Sequence, residues 1–430
     1  MSRLSKKKAR QLVGSPYAWV VLGLLTLIYI CSFVDRQIIA VLATQIQAEL
    51  NLSNFAVGLL YGPAFSFIYA VCGIPMGRMA DIYSRKKLIL AGLVVWSVMT
   101  IISGFATGLV LLISARFFVG VAEAALSPAV YSMLSDYFRP SQRATVFSIY
   151  ASGIFLGIGI AFLAGGTVAQ SYDWRTAMQV VGAPGLVLAG VGWFVIKELP
   201  RGITKGGGHY DFEQPMAEVL KYILRKKTVL LHLAGFSFLA CTGYTILAFV
   251  GTVLTKIHEA QHLVPHYGWF MFATGGSVML SGRLADWLAV RYGASRRFII
   301  GVIAGLLCLP LYYFGLFAES ATAALVLIGL ANVISSCYNG VAAALIQYLV
   351  KPNMRALAGG LYLFVISVVG FGLGPPLTGL LIDTVFTGNY GPSYALMSVI
   401  TSCGLLGSIC FLLAMRSYKY DAEKEGEGEG

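Results

Sequence analysis

Four ionisable residues stand inside long apolar runs of this sequence: Asp35, Arg36, Arg116 and Glu123. An ionised group at the centre of a hydrocarbon layer costs at least about 2.5–3.5 kcal/mol. Residues that persist at that cost are few, and they bind, pair or carry protons. Arg116 and Glu123 are seven residues apart. On a helix they share one face, with about 10.5 Å between them along the axis. Two cations and two carboxylates can neutralise one another when nothing else is bound. The planar guanidinium suits phosphate and carboxylate groups, so Arg36 and Arg116 are candidate ligands for an anion. Asp35 and Glu123 compete for the same arginines. A change of partner would load or release a proton, because burial favours the protonated carboxyl and a neighbouring arginine the ionised one. The competing reading is a static ion-pair cluster that locks two helices together.

The elements that carry these residues follow from composition. The chain has 430 residues, 57% of them apolar and only 12% charged. Its mean hydropathy is +0.77. A soluble chain has about a quarter of its residues charged, so too little polar surface is present here to cover a soluble particle. A soluble enzyme and a nucleic-acid binder are excluded, despite a net charge of +12. Apolar runs fall near 17–43, 56–76, 88–107, 109–134, 145–170, 177–196, 229–255, 266–290, 298–318, 322–349, 358–385 and 393–415. They are too long for barrel strands of about 10 residues, and only helices satisfy their own backbone groups in lipid at this length. The fold class expected is an all-α membrane protein with twelve transmembrane helices.

Lysine and arginine set the orientation. With the N-terminus inside, Arg36 and Arg116 lie in spans, Arg175 and Lys256 lie in outer loops, and every other basic residue falls in an inner segment. Both termini are therefore expected in the cytoplasm of a multi-pass protein, with short loops fitting a bacterial inner membrane. The first apolar run is too long for a signal peptide and reads as a retained helix. The expected organisation is a cytoplasmic N-terminus at 1–16, a six-helix bundle at 17–196, a linker at 197–228, a second bundle at 229–415 and a disordered acidic tail at 416–430. In the linker, Val219, Leu220, Ile223 and Leu224 share one helical face, which predicts a short amphipathic helix on the membrane surface.

The second half differs in chemistry. Asn332, Ser336, Asn339 and Gln347 form a neutral polar stripe on one helix, with Tyr338 beside it. Asn332, Asn339 and Tyr338 are candidate binding residues, with Phe236, Phe238 and Tyr244 as aromatic neighbours. Asp383 lies at the end of an apolar run and reads as solvated at the interface. The seven cysteines all fall in apolar stretches, without a C-x-x-C pair, and read as small buried hydrophobes. His258, His262 and His266 recur every four residues, but Pro265 interrupts the helix and no fourth metal ligand is evident. No phosphate-binding loop, nucleophile elbow or H-E-x-x-H helix occurs. No catalytic residue, metal or cofactor is expected.

An internal repeat links the halves. Gly77-Arg-Met-Ala-Asp81 precedes Arg85-Lys-Lys, and Gly282-Arg-Leu-Ala-Asp286 precedes Arg291, Arg296 and Arg297. The offset from Gly77 to Gly282 is 205 residues, close to half the chain. These two loops resemble the signature between the second and third helices of the major facilitator superfamily. Arg116-Phe-Phe-Val-Gly120 resembles that superfamily's fourth-helix motif, and Asp136 to Arg143 its following loop. Gly153, Gly157, Gly159, Gly165 and Gly166 make the fifth helix glycine-rich in the same way, and Trp174-Arg175 resembles the pair opening the sixth. Asp35-Arg36 and the run Arg116…Gly120…Glu123-Ala124 are most similar to the Spinster-type branch of lysolipid and sphingolipid transporters.

The resemblance implies two pseudo-symmetric six-helix bundles that work by alternating access. It implies a conformational latch formed by Gly77, Asp81, Arg85, Arg143, Gly282 and Asp286. It implies a proton-coupled carrier, acting as a monomer, of a lysolipid or sphingosine-phosphate-like amphiphile. Substrate would bind at Arg36, Arg116, Glu123, Asn332, Tyr338 and Asn339, with coupling through Asp35 and Glu123. The partners would be membrane lipids, protons and a small amphiphilic or anionic substrate, with no nucleic acid. Two alternatives stay open: a symporter of a soluble organic anion or sugar acid, and a facilitative lipid transporter or scramblase without proton coupling.

Overall fold

Backbone amides in a hydrocarbon layer must be satisfied within their own segment, and the apolar runs fold as helices accordingly. The computed structural model describes residues 6–204, 216–350 and 354–427. A short helix α1 (Lys6–Leu12) precedes the first span, α2 (Pro16–Leu50). The second span is α3 (Asn54–Tyr61) followed by α4 (Pro63–Ile82), and the third is α5 (Arg85–Ser103). The fourth is broken into α6 (Leu109–Glu123) and α7 (Leu126–Tyr137). The fifth runs from α8 (Arg143–Ile160) into α9 (Gly166–Ser171), and the sixth is α10 (Trp174–Val195).

The second half begins with α11 (Met216–Arg225) and the seventh span, α12 (Lys227–Thr252). Next come α13 (Tyr267–Tyr292) and α14 (Ile299–Leu316). The tenth span is broken into α15 (Ala321–Ser335) and α16 (Tyr338–Leu349). The eleventh comprises α17 (Arg355–Val365) and α18 (Gly372–Thr384), and α19 (Gly391–Glu427) completes the chain. Eleven spans among the described residues are long and apolar enough to cross a membrane. The remaining one, α13, has 26 residues and is less apolar because Arg283, Asp286 and Arg291 occupy its last turns.

Three features depart from the sequence expectation. The chain forms two units, and the segment Asn51–Pro63 belongs to the second, apart from the rest of the N-terminal bundle assigned to 17–196. Residues 205–215 of the linker lie outside the described residues; from Met216 the expected helix is present, with Ile223 buried and Leu224 exposed. The tail assigned as disordered at 416–430 is helical through Glu427. No glycine or proline interrupts it before Gly426, and Lys419 and Glu423 fall four apart, a helix-supporting spacing.

The repeat is visible in the backbone itself. The fifth span carries a π-bulge at Ala161–Gly165 and the eleventh one at Ile366–Phe371. Ala161 and Ile366 are separated by the same 205 residues as Gly77 and Gly282. A π-bulge widens one turn and is maintained where packing or function requires it. Its recurrence at this offset marks the two spans as copies.

In the first unit, α2 and α8 approach until backbones touch. A Cβ at Gly157 would lie 2.6 Å from both the Ile30 carbonyl oxygen and the Phe33 Cβ. Neither can move without shifting α2, the helix that bears Asp35 and Arg36. Gly157→Ala should therefore lower the thermal unfolding midpoint in detergent, at a cost of about 1–3 kcal/mol from overpacking. Gly23 has open space around it, so Gly23→Ala should leave the midpoint unchanged or raise it through helix propensity.

Candidate functional site

The four charges converge in the first unit as two ion pairs between α2 and α6. Arg36 Nε donates to Glu123 Oε2 at 2.5 Å, and Ser32 Oγ donates to the same oxygen at 2.9 Å. Arg116 Nη1 lies 3.5 Å from Asp35 Oδ1, while Thr100 Oγ1 donates to that oxygen at 2.6 Å. Glu123 is fully buried, and Asp35 and Arg116 nearly so. Side chains on a helix lean toward its N-terminus. Arg36 thus reaches back to the level of Ser32, one turn earlier, where Glu123 meets it. This resolves how residues two turns apart on α6 both find partners at adjacent positions of α2.

The two arginines differ in their remaining bonds. Arg116 donates to the backbone carbonyls of Asp35 at 3.1 Å and Arg36 at 2.9 Å. A guanidinium engaged with helix carbonyls clamps that helix in place. Arg36 is held by a carboxylate and by ring faces instead. Its Cζ lies 4.6 Å from the Phe33 centroid, 4.9 Å from Phe65 and 4.4 Å from Tyr69. Cation–π contact of this kind strengthens in desolvated surroundings. Arg36 Nη2, Glu123 Oε1 and Asp35 Oδ2 are buried without a hydrogen-bond partner. A buried polar atom left in this way loses free energy until something binds it. An anionic oxygen fits the first and a proton either of the others.

Sequence reasoning missed the aromatic surround. Tyr29 stacks on Tyr150 at 4.1 Å, and Tyr131 meets Tyr150 edge-on at 5.4 Å. Phe65 and Tyr69 stack at 5.4 Å. Part of this was available from spacing, since Tyr29, Ser32 and Arg36 recur at helical intervals on one face. The parts from α4, α7 and α8 required the tertiary fold. The break after Glu123, which ends α6 beside the ion pair, falls at the carbonyl of Ala124, four residues before Pro128, which lacks the N–H to close that turn.

The C-terminal candidates are placed differently from a continuous stripe. Asn332 is buried, with Nδ2 3.5 Å from Thr274 Oγ1 of α13. Tyr338 is buried in the second unit's core, edge-on to Phe236 at 4.5 Å. Asn339 donates from Nδ2 to the Ser336 carbonyl at 3.1 Å. The break at Ser336 and Cys337 changes the phase between α15 and α16, so one helical face no longer collects these residues. The side chain of Gln347 lies outside the described residues.

The motif loops also separate. Arg85 is fully buried and is the centre of a network. Its Nη1 donates to Asp136 Oδ2 at 2.6 Å, its Nε to Glu198 Oε1 at 2.8 Å and its Nη2 to the Leu199 carbonyl at 2.8 Å. Glu198 Oε2 accepts from the Lys86 amide at 2.9 Å, capping α5. Arg143 Nη2 donates to the Ser135 carbonyl and Thr204 Oγ1, both at 2.9 Å. Asp81 is exposed, and Glu198 supplies the carboxylate at the start of α5. Gly77 has only Pro128 Cβ within reach, at 3.9 Å. In the second copy Gly282 has open space, and Asp286 meets Arg297 at 3.2 Å on the surface.

Burial pushes the Glu198 carboxyl up, but the Lys86 amide and the Arg85 guanidinium outweigh it and hold the group below the ordinary glutamate value. A carboxylate depressed in the folded state stabilises at neutral pH and loses that contribution as pH falls through its depressed value. Its contribution to the thermal midpoint should therefore be lost as pH falls from the usual glutamate value through the depressed one, and Glu198→Gln should flatten that fall. Arg85→Ala strands Asp136 and should cost about 3–5 kcal/mol. Asp286→Asn breaks only a surface pair and should cost at most about 1 kcal/mol. Thermal melts of the three variants across pH check all of this.

Comparison with known proteins agrees with this architecture. Residues 25–375 match the Major Facilitator Superfamily. An MFS-type efflux pump of Mycolicibacterium smegmatis is 30% identical over 96% of both chains. The D-galactonate transporter of Escherichia coli is 28% identical over 94% of this chain and 96% of its own. The crystal structure of a bacterial homolog to the human lysosomal transporter Spinster, inward-facing and unoccupied, matches with a TM-score of 0.83 at 25% identity, over 95% of this chain and 98% of that one. The likeness runs along nearly the whole length, and the chain belongs to the major facilitator superfamily as a Spinster-type transporter.

Proposed function

We propose that this protein is a proton-coupled secondary transporter that carries a lysolipid or sphingosine-phosphate-like amphiphile by alternating access. The observation that supports this most is Arg36, a partly buried guanidinium flanked by three aromatic rings, with one donor unpartnered beside a single carboxylate. A phosphate-bearing head group displaces Glu123 from Arg36, since guanidinium binds phosphate in a bidentate fork. Glu123, released inside a low-dielectric site, takes up a proton, because an unpaired buried carboxylate favours its neutral form. Asp35 shares the proton-coupling role through Arg116. Arg116 positions α2 through the backbone carbonyls it holds. The apolar rings around Arg36 suit a ligand with a chain attached to its charged end.

The same reading assigns Asn332, Asn339 and Tyr338 to the second half of the binding region, and the Arg85 network with Asp286 to latches that open and close. It places the protein as a monomer in a bacterial inner membrane, both termini in the cytoplasm. A second reading is carriage of a soluble sugar acid. It draws support from the similarity to the D-galactonate transporter, since Arg36 binds a carboxylate by the same geometry.

Uptake into proteoliposomes separates these readings. With an inward proton gradient, labelled lysophospholipid should accumulate and labelled galactonate should not. Arg36→Ala should reduce uptake at least ten-fold. Glu123→Gln should retain exchange of lysolipid but lose its dependence on the gradient. Galactonate uptake alone moves the protein to the organic-anion branch, and lysolipid movement indifferent to the gradient makes it a facilitative carrier.

A further inference from the structure

Thr100 of α5 stands between two acceptors and can donate to only one at a time. A hydroxyl carries a single donor hydrogen and two acceptor lone pairs. Thr100 Oγ1 lies 2.6 Å from Asp35 Oδ1 and 3.0 Å from the Trp96 carbonyl oxygen, one turn earlier on its own helix. Other buried hydroxyls of this protein turn back onto such a carbonyl: Thr26 onto Leu22 at 2.9 Å, Thr274 onto Phe270 at 2.8 Å and Thr378 onto Gly374 at 3.0 Å. Ser103, three residues further along α5, does the same to Met99 at 2.9 Å. That back-bond is the usual position of a hydroxyl inside a helix. At Thr100 the carboxylate is the closer of the two acceptors.

Among the described residues, no other donor holds this carboxylate as closely. Arg116 Nη1 is 3.5 Å from the same oxygen and makes its shorter bond, 3.1 Å, to the Asp35 carbonyl. Asp35 Oδ2 is buried without a hydrogen-bond partner. Asp35 and Thr100 are both buried, and there a hydrogen bond to an ionised group carries more weight than in water. Arg116 and Glu123 on α6, with Cys31 and Arg36 on α2 itself, interact electrostatically with Asp35. Ionisable groups on the other packed helices are engaged elsewhere. Tyr150 of α8 meets Tyr29 and Tyr131 of α7. Asp136 of α7 binds Arg85, and Tyr137 of α7 donates to the Lys197 carbonyl. Arg143 of α8 donates to the Ser135 carbonyl, and Arg175 of α10 pairs with Glu49. The charges of α5 itself all stand in its first turn.

The arrangement accommodates both forms of the carboxyl. Ionised Asp35 accepts the Thr100 hydrogen. Protonated Asp35 donates its own hydrogen to Thr100 Oγ1, and the threonine hydrogen turns to the Trp96 carbonyl. Rotation about one Cβ–Oγ1 bond therefore suffices, with no movement of a helix. We infer that Thr100 is a positioning residue for Asp35, holding its carboxyl through the hydroxyl in either protonation state and setting where on the pH scale the two exchange. Its bearing on transport rests on the proton-coupling reading above.

Infrared difference spectroscopy on the full chain in detergent, without substrate, tests this. The protonated Asp35 carboxyl is read as the band lost in Asp35→Asn. A hydrogen bond to an ionised acceptor is stronger than one between neutral groups, so the hydroxyl favours the carboxylate. Thr100→Val, which keeps the shape and removes the hydroxyl, should move the midpoint of that band up by about one pH unit. Thr100→Ala removes the same hydroxyl in a smaller side chain and should move it the same way. Thr100→Ser should titrate close to the parent, and Ser103→Ala should titrate with it. An unchanged midpoint in Thr100→Val, or a band that does not respond to pH in either parent or variant, overturns the assignment. An equal shift in Thr100→Ser overturns it too, because packing rather than the hydroxyl is then responsible. If the expected shifts appear while lysolipid uptake stays indifferent to the proton gradient, the coupling reading fails and the assignment of Thr100 stands.

Discussion

A charge in hydrocarbon must be paired, and in this protein that constraint joins α2 to α6. Asp35 and Arg36 are sequence neighbours and so face about 100° apart on their helix. One helix cannot neutralise both from within. The partner helix supplies opposite charges two turns apart, and the lean of the arginine side chains closes the distance. The outcome is two pairs of unequal character: Arg116 is fastened to α2 through carbonyls as well as Asp35, whereas Arg36 is held by one carboxylate and by rings. The first can hold a helix in place, and the second can change partner.

The same contrast recurs across the molecule. The Arg85 network is dense: two carboxylates and two carbonyls surround one guanidinium, and removing it strands the buried Asp136. Its counterpart around Asp286 is a single pair on the surface. Desolvation makes the first pair stiff and unforgiving of loss, while water leaves the second weak. The loop and the backbone bulge recur in both halves, whereas among the described residues the buried charged side chains lie in the first half. The second half has an apolar core around Phe236, Tyr338 and Tyr362.

This division assigns different tasks to the two halves of a superfamily fold that serves many solutes. Fold alone does not set function; the groups placed on it do. Here those groups are a guanidinium, two carboxylates and several aromatic faces, gathered on helices of one unit. The combination sets cationic and acidic groups next to apolar surface.

The sequence by itself determined the class, the twelve helices, the duplication and the four buried charges. Each rests on properties that local chemistry carries: run length against bilayer thickness, the placement of lysine and arginine, and the cost of a charge in lipid. It did not determine which cation meets which anion. Pairing depends on the rotation and register of packed helices, which no single helix encodes. For the same reason the tyrosines of α2, α7 and α8 came together only in the fold, and the break in the tenth span separates Asn332 in α15 from Tyr338 in α16. The carboxylate at the start of α5 is Glu198, and Asp383, expected to be solvated, accepts from the Asn54 and Phe55 amides at the start of α3. A carboxylate is drawn to unsatisfied amides wherever the fold brings them within reach, and that proximity is decided by tertiary structure.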